Sequence, residues 1–304
     1  MIDTPAPKTV SYETPNSSFA AIVCANCGYS SPGRFCTNCG QKHRTPRDYT
    51  LTHFLRHVFE EFTSLDSKIF RSLKSLLFSP GKLTAEWAAG KERSYIKPIQ
   101  LFLVLNLVYF VFQHFFPITT FTAPLEVQHH MQVYSAWIRP IIDQQVRASG
   151  LTYSRYALVY NEATAAQARS LIILMVPMFA ALLGILYFRK GRYFVEHLVF
   201  SLHFYAFFLV LVSFGILAME IIMSIVAATF QFSLIGMDWD TWFTYLPGLI
   251  GFVYLLIALR RVYGGGWAIS AVKSFVLTYA VLYIIFAYRF ILFFTTIYTM
   301  HVRI

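Results

Sequence analysis

The chain has 304 residues, of which 57% are hydrophobic and 13% are charged. Soluble domains carry about 25% charged residues, and a soluble fold of this length has no way to bury so much apolar surface. The composition therefore predicts an integral membrane protein. The formal net charge of +10 could indicate a nucleic-acid partner. Membrane proteins carry an excess of Lys and Arg on their cytosolic side, where these residues also attract anionic lipid headgroups. This bias explains the net charge better than a nucleic-acid partner does.

The first forty residues contain a tail followed by a cysteine-rich segment. Residues 1–23 have several prolines and no apolar run, which predicts a disordered tail without a secretory signal peptide. Residues 24–40 hold all the cysteines of the chain, in two copies of the pattern C-x-N-C-G: Cys24, Cys27, Cys36 and Cys39. Such paired knuckles offer four thiolates to one tetrahedral Zn²⁺. Two disulfides are the alternative.

The glycine after each second cysteine is typical of the tight knuckle turn, where a positive φ is needed. The sequence thus predicts a zinc ribbon with one structural Zn²⁺. Because zinc thiolates persist in a reducing compartment, this segment is expected in the cytosol.

Residues 41–97 are expected to form a cytosolic linker followed by amphipathic helices. Apolar residues recur with helical spacing in residues 51–62 and again in residues 69–77, and basic residues lie beside both faces: Arg56, Lys68, Arg71 and Lys74. This pattern predicts helices that lie on the membrane surface or pack on the cytosolic ends of the spans. A further short helix is expected to start at the pair Ser79-Pro80 and to end at Ala89, before Gly90.

The remaining residues, 98–304, contain five apolar segments long enough to cross a bilayer, which takes about 20 helical residues. They lie near 99–116, 171–188, 198–219, 243–259 and 267–288. The fifth span could continue to Tyr298. Pro177 is expected to kink the helix of the second span. Residues 117–170 would form an outer loop between the first two spans. Residues 221–237 could be a sixth span, but because no turn signal precedes them, we expect them to extend the third helix or to lie at the outer interface.

The charges of the loops predict the orientation of the spans. Basic residues follow the second and fourth spans: Arg189, Lys190, Arg192, Arg260 and Arg261. By the positive-inside rule, these loops are cytosolic, which predicts a cytosolic N-terminus and an external C-terminus. The predicted fold class is therefore an all-α polytopic membrane protein with an N-terminal zinc ribbon.

Three ionisable residues near the start of the third span are the candidates for chemistry: Glu196, His197 and His203. Glu196 and His203 are seven residues apart and therefore share a helical face. Ionisable groups at membrane depth are costly and are candidates for proton relays, metal ligands or substrate anchors. The structural alternative pairs Glu196 with Arg192 one turn earlier, places His197 at the headgroup level and lets neutral His203 bond a neighbouring helix.

Other polar residues carry weaker signals. Lys273 and Arg289 are expected to be snorkelling anchors that flank the fifth span. The pair His129-His130 could bind a metal, although two histidines alone are a weak signal. Because the chain contains no P-loop, dinucleotide-binding, serine-hydrolase or metalloenzyme motif, the sequence argues against an enzyme more than for one.

The layout resembles an uncharacterised bacterial family of zinc-ribbon-headed polytopic membrane proteins, a domain-of-unknown-function family. Two sets of residues carry the resemblance besides the cysteines. The first is the segment with Pro80-Gly81, Gly90-Lys91, Arg93, Tyr95 and Pro98, and the second is the run E-H-L-V-F-x-L-H from Glu196 to His203. The resemblance implies this architecture and a location in the bacterial inner membrane. It implies no activity.

These observations leave two functions open. The favoured one is a scaffold or regulator whose zinc ribbon meets a protein partner and whose basic cytosolic face meets anionic lipid, with no nucleic-acid partner. The alternative is a transporter or lipid-processing membrane enzyme with its site at Glu196 and His203. If each of these two residues pairs with a single partner, the scaffold is favoured. If both face a shared polar cavity, the transporter or enzyme is favoured.

Overall fold

The computed structural model describes residues 21–43, 68–115, 120–230 and 239–301. The chain divides into two compact units, Met1–Arg44 and Thr45–Ile304. The predicted tail up to residue 20 and the amphipathic segment 51–62 lie outside the described residues.

The first unit, hereafter the head, is built on two short antiparallel pairings. Strand β1 (Ile22–Val23) pairs with β2 (Ser30–Ser31), and Phe35 forms an isolated bridge with Lys42. Each pairing closes the base of one cysteine knuckle. The predicted disordered tail includes residues 22 and 23, which instead form β1. Two-residue strands held by a knuckle carry no periodicity from which they could be predicted.

The described residues of the second unit form ten α-helices. Three precede or begin the bundle: α1 (Lys68–Phe78), α2 (Lys82–Ala88) and α3 (Pro98–Phe115). Four follow in the predicted outer loop and second span: α4 (Leu125–His130), α5 (Ser135–Ser149), α6 (Tyr153–Leu171) and α7 (Met175–Leu186). The last three are α8 (Phe194–Phe230), α9 (Trp239–Tyr263) and α10 (Trp267–His301).

Five helical segments are long and apolar enough to cross a membrane, which confirms the predicted class and number of spans for the described part of the chain. They are Pro98–Phe115, Tyr153–Leu186, Phe194–Gly215, Leu246–Tyr263 and Trp267–Met300. The protein is thus an α-helical membrane protein. We call the end of the bundle where α3 begins and α7 ends the proximal end, and the opposite end the distal end.

Helix α8 is the centre of the bundle. It packs against α2, α3, α7 and α9, and 78% of its spanning window is buried, against 44% or less in each of the other four. Its sequence is apolar on all sides, as expected for a helix surrounded by other helices. The prediction that the third helix extends beyond residue 219 is confirmed as far as Phe230.

The region predicted as an outer loop, residues 117–170, is mostly helical. Helix α6 runs into α7 through a 3-10 turn, Ile172–Leu174, so the second spanning helix begins at Tyr153 instead of residue 171. Polar residues on α6 lower its hydropathy, but a stripe with a spacing of four residues is buried: Tyr156, Tyr160, Thr164 and Ala168. This stripe lies against α10. The 3-10 turn lies just before Pro177, whose ring in a regular α-helix would clash with a carbonyl one turn earlier.

A second apolar core, the distal cluster, lies at the distal end. It consists of Leu125, Ile138, Ile142, Tyr156, Tyr160, Phe293, Ile297 and Met300. These residues come from α4, α5, α6 and the last turns of α10. The continuation of the fifth span past residue 288 is therefore confirmed, and its function is to complete this core.

The short helix α2 packs between α8 and α9 at the proximal end. It ends as predicted, with Ala89 as C-cap and Gly90 at φ 79°. Its start differs from the prediction, because the cap is Gly81 at φ 76° instead of Ser79. A Cβ atom on Gly81 would lie 2.8 Å from the Cα and the carbonyl oxygen of Ala258. Glycine is thus required there both by the left-handed backbone and by the close approach of α9.

Candidate metal centre and buried polar sites

The four cysteines converge on one point in the head. The Sγ atoms of Cys24 and Cys39 are 3.6 Å apart, as are those of Cys27 and Cys36, and all four lie within 4.8 Å of one another. A disulfide would bring two sulfurs to about 2.05 Å, and all four cysteines are free. A tetrahedral site with metal–sulfur bonds of about 2.3 Å has sulfur–sulfur edges of about 3.8 Å. The arrangement therefore fits one tetrahedral thiolate-bound metal ion.

The two knuckles have the same backbone geometry. The N–H of Gly28 donates to the carbonyl of Cys24 (2.8 Å), and the N–H of Gly40 donates to that of Cys36 (2.7 Å). Both glycines have positive φ, 75° and 68°, which confirms the role predicted for them. The repeat of the sequence pattern is thus a repeat of structure, and each copy presents two sulfurs to the shared centre.

Backbone amides of the second knuckle favour the thiolate form that a metal requires. A hydrogen bond from the Cys39 backbone lowers the pKa of the Cys36 thiol to about 6, although desolvation opposes it. The backbone of Gln41 likewise lowers the pKa of Cys39. Both shifts reduce the free energy needed to deprotonate these ligands on metal binding.

The candidate residues on α8 each bond a different part of the proximal end. The carboxylate of Glu196 accepts from the guanidinium of Arg192, whose second nitrogen donates to the carbonyl of Val262 at 2.9 Å. The Tyr193 N–H donates to the same carboxylate at 3.4 Å. Glu196 therefore closes the first turn of α8 and, through Arg192, ties that turn to the end of α9.

His203 lies two turns deeper and bonds α2. Its Nδ1 and the hydroxyl of Thr84 share a hydrogen bond of 2.9 Å, and both side chains are buried. No signal in the sequence points to Thr84, since a lone threonine in a seven-residue helix is indistinguishable from a surface residue. The bond fixes how deeply α2 sits against α8.

His197 is part of a stack of rings between α7, α8 and α9. Its Nδ1 shares a hydrogen bond of 2.7 Å with the Tyr263 hydroxyl, and the Tyr263 ring stacks on Tyr187 at 4.1 Å. Lys273 completes the stack with its Nζ 3.7 Å from the Tyr187 ring centre, and it donates to the carbonyl of Leu186 at 2.8 Å. Burial raises the pKa of Tyr187 to about 12. His197 is therefore buried between helices near the first turn of α8.

Glu196 and His203 thus share a helical face, as predicted, but bond separate partners. In the part of the chain that the structure describes, no hydrogen bond links Glu196, His197 and His203 to one another. His197 and His203 each contact another helix, α9 and α2, and Glu196 holds Arg192, which reaches the end of α9. The arrangement can hold these helices in register.

Arg289 is the clearest departure from the sequence prediction at the other end of the bundle. Instead of snorkelling at the membrane surface, its Nη2 donates to the carbonyl of Thr120 at 2.9 Å. The neutral phenols of Tyr134, Tyr109 and Tyr288 lie near its guanidinium. Because α10 continues to His301, Arg289 lies within the helix and not at its end.

The histidine pair of the predicted outer loop lies near one carboxylate. His129 Nδ1 and His130 Nε2 are 3.0 Å apart, and His129 Nε2 lies 3.5 Å from a carboxylate oxygen of Asp143. Among the residues that the structure describes, the four cysteines are the one group of three or more such side chains placed to hold a metal ion.

Comparison with known proteins identifies one similar region. Residues 66–110 match a family described as a protein of unknown function, DUF3667. No curated protein and no solved structure matches the chain. The match includes α1, α2 and most of α3, and with them the Pro80-to-Pro98 segment that carries part of the family resemblance. The cysteine knuckles and the run from Glu196 to His203 lie outside it.

The matched region is the part of the chain that docks on the proximal end. Besides the bond from Thr84 to His203, the Arg261 guanidinium donates to the carbonyl of Pro80 at 2.6 Å. The Ile96 N–H donates to the hydroxyl of Ser72 at 3.0 Å, which explains why α1 buries a serine face. The segment that matches the family is therefore one that packs on the proximal end of this bundle.

Proposed function

We propose that the protein is a scaffold or regulator of the bacterial inner membrane, with a cytosolic Zn²⁺-binding head that meets a protein partner and a basic proximal face that meets anionic lipid. One observation carries the choice of scaffold over transporter or enzyme. The side chains of Glu196, His197 and His203 bond three separate side chains, namely those of Arg192, Tyr263 and Thr84. A catalytic or transport site would instead need these groups to converge.

The chemistry of the head supports Zn²⁺ as the ion. Four thiolates in tetrahedral geometry are typical of structural zinc, and no position is left for water or substrate. A ribbon with so small a core depends on the metal for its folding. Elemental analysis of the purified full-length protein should find about one Zn²⁺ per chain, and the Cys36→Ser variant should lose it. Iron at that stoichiometry, or two disulfides by mass spectrometry, would contradict the proposal.

The orientation rests on the basic residues of the proximal end. Arg189, Lys190, Arg260 and Arg261 all lie in short turns or last helical turns at this end, which the positive-inside rule assigns to the cytosol. Reporter fusions at residues 190 and 262 should therefore be cytosolic, and fusions at residue 145 and at the C-terminus external. A cytosolic C-terminus would contradict the five-span topology.

Helix α1 supports a contact with anionic lipid. Phe70 and Phe78 are 80% and 79% exposed, and Arg71 and Lys74 are exposed on the same helix. Its buried face is Ser72, Ser75 and Leu76, so the aromatic side chains point away from the bundle. Exposed apolar residues beside basic ones are the pattern of a helix that lies in a charged membrane surface.

The lipid contact can be tested in nanodiscs. Amide hydrogen exchange in residues 68–78 should be slower with phosphatidylglycerol than with phosphatidylcholine, and the double change Arg71→Gln, Lys74→Gln should remove the difference. Lys91→Gln is the matched control, because Lys91 is basic and exposed but pairs with Glu86 outside α1. Equal exchange in both lipids would show that anionic headgroups do not bind this helix.

The choice between scaffold and transporter or enzyme can be tested by complementation of a deletion strain. If the scaffold proposal holds, His203→Ala and Glu196→Gln lose function in proportion to their loss of melting temperature and abundance. Cys36→Ser in contrast should lose function while the spans remain inserted. Loss of function in His203→Ala at normal abundance and melting temperature would favour the transporter or enzyme instead.

A further inference from the structure

The asparagine of the second C-x-N-C-G copy contacts the first copy. The side-chain Nδ2 of Asn38, in the second knuckle, donates to Cys27 Sγ of the first knuckle at 3.7 Å. Asn26 stands at the equivalent position of the first knuckle and, after the backbone of Gln41, contributes to the lowered pKa of the Cys39 thiol in the second. Because the two knuckles repeat the same sequence pattern and backbone hydrogen bond, Asn26 is the counterpart of Asn38.

We propose that Asn26 and Asn38 are positioning residues of the metal centre, each of which donates an amide N–H to a thiolate of the opposite knuckle. The proposal rests on the metal site proposed above. Four thiolates around a divalent cation leave a net charge of about −2. Hydrogen bonds to the sulfurs withdraw part of that charge, and because they cross between the knuckles they also hold the two halves of the site together.

The two knuckles differ at the position that makes no such contact. The residue before each asparagine is Ala25 in the first knuckle and Thr37 in the second, whereas asparagine occurs in both. Thr37 and Asn38 are both exposed, so neither is retained for the packing of a core. The proposed role uses the amide donor of asparagine, which neither alanine nor threonine supplies.

Removing one of these N–H donors should change both the metal affinity of the site and the reactivity of its thiolates. Outer-sphere hydrogen bonds to metal ligands typically change metal affinity by roughly 10- to 100-fold. Sulfur that keeps more charge is also a better nucleophile. Loss of either asparagine should therefore weaken metal binding and accelerate metal release by an electrophile.

The experiment uses the full-length protein in detergent, loaded with Co²⁺ or Zn²⁺. Asn26→Ala, Asn38→Ala and Asn38→Asp, which has the same shape without the N–H donor, should each lower Co²⁺ affinity by about 10-fold or more in a chelator competition. They should also release Zn²⁺ faster with N-ethylmaleimide. Thr37→Ala is the matched control, because it makes the second knuckle identical to the first and should change neither measurement.

The outcomes separate the two proposals. A wild-type protein that binds neither Co²⁺ nor Zn²⁺ would overturn the metal site itself. A wild-type protein that binds one ion, with asparagine variants indistinguishable from wild type and from Thr37→Ala, would overturn the role of the asparagines alone. Weaker binding and faster release in the asparagine variants, with an unchanged control, would support both.

Discussion

Gly81 provides the sharpest test of how the family-matched segment docks on the bundle. In the Gly81→Ala variant the new Cβ would lie 2.8 Å from two backbone atoms of Ala258. Because those atoms belong to the backbone of α9, they cannot rotate away, and α2 must move. The left-handed φ of 76° adds a conformational cost of about 1–2 kcal/mol for a residue with a Cβ. Overpacking of a close contact adds about 1–3 kcal/mol more.

Gly191 is the matched control, since it separates the two costs. It also has a left-handed backbone, with φ 62°, but no atom lies within 4 Å of the place that a Cβ would occupy. Gly191→Ala should therefore show the conformational cost alone. The expected additional loss in Gly81→Ala, about 1–3 kcal/mol, can be measured as the difference in melting temperature between the two variants in the same detergent. Equal melting temperatures would refute the close approach of α2 and α9.

Two further predictions concern buried polar contacts. A double-mutant cycle with Thr84→Ala and His203→Ala should give a coupling free energy of about 1 kcal/mol, typical of one hydrogen bond; additive losses of stability would show that the two side chains do not interact. Arg289→Ala should lower the free energy of unfolding by about 1.5–3 kcal/mol, because a charged donor to the Thr120 carbonyl is lost. Amide hydrogen exchange near residue 120 should increase in this variant. Arg289→Lys should have a smaller effect on both measurements.

Composition and loop charge are sufficient to predict the membrane class and the five spans, and the cysteine spacing predicts the metal-binding head. These predictions succeed because lipid-facing helices must be apolar and because four thiolates in two knuckles have few other uses. The knuckle glycines and the C-terminal end of α2 are also predictable. Gly28, Gly40 and Gly90 occupy left-handed positions that few residues other than glycine adopt.

The errors have a common physical cause. Hydropathy reports which residues can face lipid, and it says little about helices that face other helices. Helix α6 therefore resembles a loop in the sequence up to residue 170, although Tyr160 and Thr164 are buried and the helix packs against α10. The same limit places Arg289 at the end of the predicted fifth span. Its true position follows from the length of α10, which depends on contacts made in the distal cluster.

Helix α10 is longer than a membrane span requires. Helix α10 has 35 residues and therefore measures about 50 Å, whereas the hydrocarbon core of a bilayer is about 30 Å thick. The part beyond residue 289 is not needed to cross the membrane. It contributes Phe293, Ile297 and Met300 to the distal cluster, where they meet Ile138 and Ile142 of α5.

A chain truncated after Arg289 should therefore keep its fifth span and lose the distal cluster. Residues 267–289 still provide more than the roughly 20 residues that a span requires. Protease sites in α4 and α5 should become accessible, while a reporter at residue 262 stays on the same side of the membrane. The full-length Ile291→Ala variant is the control, because Ile291 is 38% exposed and outside the cluster. If α4 and α5 remained as protected as in the full-length protein, α10 would not be what holds them in place.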